Sequence, residues 1–311
     1  MRLMNKDSRI LVLGHRGLVG SALVRRLRSE GHDRLLQQTR QDLDLRDSVA
    51  VRRFFRTERP EIVFLAAARV GGILANDRAP VDFLMENMAI QQNVISAAHE
   101  AGVAKLLFLG SSCIYPRDCA QPIREEYLLG GPLEPTNEWY AVAKIAGIKM
   151  CQAYRKQYGA DFISVMPTNL YGPGDNFDLE TSHVLPAMLR KFHEARASGL
   201  PVQLWGTGSP RREFLHVDDL ADACLHLMRC YADDRPINVG VGEDVSIRDL
   251  AGLMARITGF EGDVLWDASK PDGTPRKLLD VSRLAETGWS ARIGLEEGIR
   301  ETYRWYLAHQ A

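Results

Sequence analysis

The chain has 311 residues, long for one compact domain and suited to two lobes or one large α/β domain. Apolar residues make up 45% and charged residues 25%, the composition of a protein that buries a substantial core. Lys and Arg (39) nearly cancel Asp and Glu (40), and the resulting formal charge of -1 argues against a broad nucleic-acid or membrane-surface footprint, though not against local phosphate sites. Residues 1–9 are short of the apolar core of a signal peptide. No apolar run reaches the roughly 18 residues that a membrane-spanning helix needs. Cys113, Cys119, Cys151, Cys224 and Cys230 are scattered without a C-x-x-C pair. That spacing speaks against a disulfide framework or a zinc site and suits a reducing cytoplasm.

In the first half, short apolar runs alternate with helical patterns, the form of a parallel sheet covered by helices. Strands are expected at Arg9–Leu13, Leu35–Gln38, Glu61–Ala66, Lys105–Gly110 and Phe162–Met166. Helices are expected near Leu18–Ser29, Asp47–Thr57, Val81–Ala101 and Asn137–Tyr158. The last two are long and carry extra apolar residues, Met85, Met88 and Ile95 on one, Ile145, Ile148 and Met150 on the other. Those residues suit either a partner subunit or burial under a loop. Beyond Pro167 the pattern loosens. A Gly/Pro/Asn-rich loop, Tyr171–Asp178, precedes a helix near His183–Ser198, a strand at Val202–Trp205, a helix at Asp218–Tyr231 and a strand at Pro236–Gly240. Ser246 is placed to cap a helix running to Thr258, and Gly294–His309 reads as a final amphipathic helix. The fold class is α/β: a Rossmann-type doubly wound parallel sheet with a smaller, interleaved α/β lobe. Residues 1–172 and about 215–243 are assigned to the first lobe, about 173–214 and 244–311 to the second.

The stretch from Ile10 to Gly20 sets Gly14, Gly17 and Gly20 as G-x-x-G-x-x-G between a strand and a helix. Backbone without side chains can approach a pyrophosphate there, and the helix start supplies free N–H groups and positive dipole character. The strand before and the helix after meet the contextual test for a dinucleotide loop. The second strand runs into Gln37-Gln38-Thr39-Arg40, with no carboxylate to hold a ribose 2′-hydroxyl. Arg40 and Arg16 suit a 2′-phosphate instead, which selects NADP(H). Asp44 and Leu45, just beyond, suit the adenine amino group.

Tyr140 and Lys144 are four apart, hence on one helix face, where an ammonium would lower a phenol from its reference pKa of about 10. Ser111 and Ser112 follow the fourth strand, at the carboxyl edge where open α/β sheets bind ligands. A serine there can bond a carbonyl oxygen while the tyrosine protonates it.

The glycine loop, Ser111 and the Tyr140/Lys144 pair resemble the extended short-chain dehydrogenase/reductase superfamily. Longer strings narrow the likeness: Gly110–Pro116, Leu133–Glu138, Tyr140–Gly147, Met166–Pro173, Asp175–Phe177 and Arg212–Asp219. Together they resemble the GDP-L-fucose synthase family, which epimerises C3 and C5 of GDP-4-keto-6-deoxy-D-mannose and then reduces C4 with NADPH. The resemblance implies cofactor contacts from Lys144, Pro167, Asn169, Leu170 and His183. It implies Cys113 as base and His183 as acid in epimerisation, the two roles being exchangeable on sequence grounds. Their reference pKa values of about 8.5 and 6.5 bracket neutrality. It further implies a GDP-sugar bound by Lys191, Trp205, Arg212 and Asp272, and a homodimer joined through the helices at 81–101 and 137–158. Arg212 could alternatively pair with Glu213 or Asp218. Related sugar-nucleotide 4,6-dehydratases carry Asp and Glu where Ser112 and Cys113 stand, so elimination lacks its carboxylates here.

Overall fold

The computed structural model describes residues 4–270 and 272–309. The chain runs β1 (Ile10–Leu13), α1 (Leu18–Ser29), β2 (Leu35–Leu36), α2 (Ser48–Glu58), β3 (Ile62–Leu65), α3 (Ile73–Arg78), α4 (Pro80–Glu100), β4 (Lys105–Leu109), α5 (Glu138–Tyr158) and β5 (Phe162–Pro167). It continues through β6 (Asn169–Tyr171), α6 (Val184–Ser198), β7 (Val202–Trp205), β8 (Arg211–Arg212), β9 (Phe214–His216), α7 (Val217–Cys230) and β10 (Ile237–Val239). The last elements are β11 (Val245–Ser246), α8 (Ile247–Thr258), β12 (Val264–Asp267), β13 (Arg276–Lys277), α9 (Ser282–Glu286) and α10 (Leu295–His309).

Six strands form one parallel sheet in the order β10-β5-β4-β3-β1-β2. The chain leaves β1 toward β2 on one side and returns through β3 to build the other, so β1 and β3 flank the topological switch point. Register aligns the carboxyl ends: Leu13 faces Leu65, Leu65 faces Phe108, and Leu109 faces Val165. Gly14, Gly110 and Ser111 therefore emerge at one edge. This is the Rossmann-type sheet expected from the alternation.

Successive strand residues point to opposite faces, and both faces are apolar. Ile10 and Val12 pack with α1 and α7 residues such as Leu23, Leu27, Leu220 and Cys224. Leu11 and Leu13 pack on the other face with Val51, Phe55, Val94 and Ile148. A third cluster lies apart, around Leu185, Leu189, Phe192, Leu204, Leu250, Met254 and Tyr303. Tyr171 joins this third cluster, whereas Leu284 and Trp289 pack against the sheet. Asp47 caps α2 through Val49 and Ala50 N–H at 2.9 and 3.0 Å. Ser246 caps α8 at Asp249 N–H (3.0 Å) and donates to the Asp249 carboxylate, as its position predicts.

Several elements differ from expectation. β2 stops at Leu36, and β6, β8, β9, β11, β12, β13, α3 and α9 were not foreseen, all being two to six residues long. Of the apolar residues assigned to a possible partner face, Ile95, Ile145 and Ile148 are core, while Met85 is exposed. Val81 on α4, and Trp139 and Val142 on the neighbouring α5, are exposed as well. Among the described residues, no helix is long and apolar enough to cross a membrane.

Candidate active site

The turn from β1 into α1 is shaped by backbone. Gly14 has φ +87°, and a Cβ on it would stand 2.8 Å from the Ala67 nitrogen. A Cβ on Gly20 would lie 2.0 Å from the Gly14 carbonyl oxygen, so neither position admits a side chain. Gly17 donates to the Gly14 carbonyl at 2.9 Å and immediately precedes α1, whose first turn has no side-chain cap and no acidic residue. Free N–H groups and an uncompensated positive dipole end remain, which fits a dinucleotide diphosphate. Arg16 and Arg40 are exposed beside this turn. The Asp44 carboxylate is already held: Arg46 Nε donates to Oδ1 at 2.9 Å and Nη2 to Oδ2 at 2.6 Å, which keeps Asp44 down at about 2. Arg46, overlooked in the sequence, thereby orients the carboxylate, whose oxygens keep further acceptor capacity for the expected adenine amino group.

Across the carboxyl edge, Pro167 ends β5 while Asn169 and Leu170 begin β6. The Asn169 amide donates to the Glu213 carbonyl at 2.8 Å and Thr168 Oγ1 donates to the same oxygen at 3.2 Å, tying this edge to β8–β9. Glu213 is fully buried and its carboxylate accepts from Val241, Gly242 and Leu279 N–H at 2.6, 2.7 and 3.0 Å.

After β4 the chain makes one tight turn, Ser112–Ile114, capped by Ser111. This turn brings Cys113 back over Ser111: the thiol donates to Ser111 Oγ at 3.0 Å. Tyr140, in the first turn of α5, neighbours the Ser111 hydroxyl, and its ring meets Phe83 edge-on at 6.4 Å. Lys144, one turn on, is buried; its Nζ donates to the Leu109 carbonyl at 2.7 Å and lies 5.7 Å from the Tyr140 ring centre. Burial pushes Lys144 down to about 8, with the Cys113 sulfur opposing. The phenol behaves contrary to expectation. Burial first, then Cys113, push Tyr140 well above its ordinary value, and only Ser111 pulls the other way. The spacing places the pair on one face, but burial sets the phenol's shift, and the ammonium is directed at a backbone carbonyl.

His183 is the residue before α6, and its side chain makes no cap there. The loop that delivers it is pinned by Phe177, stacked 6.2 Å from Trp305 and tilted 4.6 Å from Tyr306. His183 is solvent-accessible, yet desolvation by the atoms packed around the imidazole, and then the Lys277 ammonium, hold its pKa below the ordinary value. Lys277 was overlooked in the sequence. It sits on β13 beside Arg212 of β8, and its ammonium feels Cys113 most strongly among charged neighbours, then Arg212, Cys119 and Glu134. Burial lowers Lys277, as it does Arg212, for which Asp272 is the opposing charge. Neither alternative partner takes Arg212: Glu213 serves backbone N–H groups and Asp218 pairs with Arg25 at 2.5 Å.

Farther out, Asp272 accepts from Thr207 N–H at 2.7 Å and Thr207 Oγ1 at 2.8 Å, closing the turn that follows Trp205. Trp205 is exposed, with Lys270 Nζ 5.7 Å from its ring centre. Lys191 donates to the Gln203 carbonyl at 3.0 Å. Ser111, Cys113, Tyr140 and Lys144 thus lie together; Lys277, paired in register with Arg212, is the charged neighbour felt by Cys113 and His183, and Asp272 is the opposing charge on Arg212.

The family described as the NAD dependent epimerase/dehydratase family matches residues 10–240. The chain belongs to this family. Within it, the chain is 58% identical to GDP-L-fucose synthase 1 of Arabidopsis thaliana over 306 residues, 98% of this chain and 95% of that protein. A GDP-6-OMe-4-keto-L-xylo-heptose reductase from C. jejuni superposes with a TM-score of 0.95 at 38% identity, covering 99% of this chain and 100% of that one. A GDP-L-fucose synthetase from Naegleria fowleri bound to NADP superposes with a TM-score of 0.92 at 32% identity, covering 98% and 94%. The likeness to GDP-L-fucose synthases read from the motifs is borne out over nearly the whole chain.

Proposed function

We propose that this protein is an NADP-dependent GDP-L-fucose synthase, which epimerises C3 and C5 of GDP-4-keto-6-deoxy-D-mannose and reduces C4 to give GDP-L-fucose. The observation that carries the reading is the Cys113 thiol 3.0 Å from Ser111 Oγ, within the cluster that holds Tyr140. A C4 ketone acidifies the hydrogens on both neighbouring carbons, so one oxyanion site serves both epimerisations and the reduction. Ser111 and Tyr140 are assigned to that oxygen. Cys113 is assigned as the base, with Lys144 and Lys277 as its basic neighbours. His183 is assigned to return a proton on the opposite face, and its open position lets it recharge from water. Arg212 and Lys277 are assigned to the diphosphate, with Lys191, Trp205 and Asp272 toward the nucleotide.

Gly14, Gly17, Gly20, Arg16, Arg40, Asp44, Leu45, Pro167, Asn169, Leu170, Lys144 and His183 would hold the dinucleotide. When bound, NADPH supplies the hydride for C4, and Tyr140 gives the resulting oxygen its proton. Residues 1–172 with about 215–243 would thus serve the cofactor, and the remainder the sugar nucleotide. A homodimer through α4 and α5 is supported by exposed Val81, Met85, Trp139 and Val142 on adjacent helices, and two-fold closure is the commonest symmetry. The free thiols of all five cysteines suit the cytoplasm.

The test offers GDP-4-keto-6-deoxy-mannose and NADPH in deuterated water and identifies the product. GDP-fucose labelled at C3 and C5 is expected. A reduced sugar with its original C3 and C5 configurations would make the protein a C4 reductase only.

A further inference from the structure

Beside the dinucleotide turn, a second arginine points at the same spot as Arg40. Arg46 is held as a rigid fork by Asp44, through Nε at 2.9 Å and Nη2 at 2.6 Å. Its remaining nitrogen, Nη1, lies 3.7 Å from Glu86 Oε2. Arg40 Nη2 lies 3.7 Å from that same oxygen. The two guanidinium groups are therefore separated by no more than twice that distance, a gap one phosphate group can bridge. Glu86 itself is fixed from α4: its other oxygen accepts from Arg69 Nη1 at 2.7 Å, and Arg69 also pairs with Asp82 at 3.1 Å. Both 3.7 Å contacts are longer than a hydrogen bond, and Arg40 is largely exposed, so Glu86 holds it only weakly.

We propose that Arg46 is a third cation for the adenosine 2′-phosphate, and that Glu86 is the counter-charge occupying its place between Arg40 and Arg46 until the phosphate arrives. A dianion with three acceptor oxygens outcompetes a single carboxylate oxygen for two guanidinium groups. The charged groups facing the spot are Arg16, Arg40, Arg46 and Arg69 against Asp42, Asp44 and Glu86, a nearly balanced set in which one carboxylate matters. This assignment rests on the reading of Arg16 and Arg40 as the 2′-phosphate site, and names the residues that tune it.

The experiment is calorimetric titration of the full-length protein with adenosine 2′,5′-bisphosphate and with 5′-AMP, which report the phosphate contact without turnover. The unmodified protein should prefer the bisphosphate. Arg46→Met should weaken bisphosphate binding about tenfold, the scale of one charge-assisted hydrogen bond, and move AMP less than about twofold. Glu86→Gln keeps an acceptor for Arg69 but removes the competing charge, and should tighten the bisphosphate by about threefold. If Arg46→Met leaves the preference intact, or Glu86→Gln weakens the bisphosphate, the inference is overturned while the NADP reading stands. Equal binding of both probes by the unmodified protein would overturn the 2′-phosphate site itself, and the inference with it.

Discussion

Cys113→Ser separates the two halves of the proposed reaction. The substitution is nearly isosteric at a half-buried position, and a serine oxygen can keep the contact with Ser111 Oγ now made at 3.0 Å. What changes is ionisation: a thiol with a reference pKa of about 8.5 gives way to a hydroxyl that stays protonated near neutrality. Among the described residues, no imidazole or carboxylate is hydrogen-bonded to Cys113 to activate a serine there; its thiol meets the Ser111 hydroxyl. A positioned general base is worth about 100- to 10,000-fold, so proton removal at C3 and C5 should fall at least about 100-fold. The reduction requires only Ser111, Tyr140 and Lys144 on the proposed assignment, and NADPH should still be consumed when the 4-keto sugar is supplied. Mass spectrometry and NMR of the product from deuterated water read both outcomes at once. The expected product is a reduced GDP-6-deoxyhexose without deuterium at C3 or C5. Ordinary GDP-fucose formation by the variant would refute the reasoning and leave Cys113 a packing residue.

Three further outcomes follow from particular contacts. Tyr140→Phe should abolish C4 reduction while NADP+ binding, measured by calorimetry, stays within about threefold, because the ring remains and only the proton donor goes. Lys144 is held at about 8 by burial, so it loses charge as pH rises through that value; the ligand-free protein's affinity for NADP+ should decline above about pH 8, and Lys144→Arg, charged throughout, should move that limb upward. Glu213→Gln must turn an amide N–H₂ toward a backbone N–H that the carboxylate now accepts, so urea unfolding should show a loss of about 2–4 kcal/mol, and KM for the sugar nucleotide should rise because Leu279 lies two residues from Lys277.

The sheet was legible because its signals are local and long. Four- to six-residue apolar runs, a glycine triplet and residues such as Asp47 and Ser246 that cap helices all act within a few residues of chain. β8, β11 and β13 are two residues each, too short to show any period, and they exist only because strand pairing brings residues 211–212 and 276–277 together. Lys277 was lost for the same reason. In Pro275-Arg276-Lys277-Leu278-Leu279 a charge pair reads as solvated surface. Alternation counted back from fully buried Leu279 would have turned Lys277 inward. Arg46 gave no such hint, since its role depends on Glu86, forty residues away on α4. The upward shift of Tyr140 was equally out of reach, because i, i+4 spacing reports contact and says nothing of desolvation.

That upward shift bears on how one site could serve two kinds of chemistry. During epimerisation the substrate oxygen becomes an enolate, and during reduction an alkoxide, which is by far the stronger base. A phenol of ordinary acidity lowered by a nearby ammonium would trade its proton readily with the enolate and allow enol to escape. Burial holds the Tyr140 proton more tightly, so beside an enolate the phenol donates a hydrogen bond and keeps its proton. The alkoxide is basic enough to take that proton outright. On the proposed assignment, basicity of the substrate oxygen alone then decides when Tyr140 acts as an acid. The Ser111 hydroxyl, bonded to Cys113 and neighbouring Tyr140, ties that decision to the group assigned to remove the carbon-bound protons.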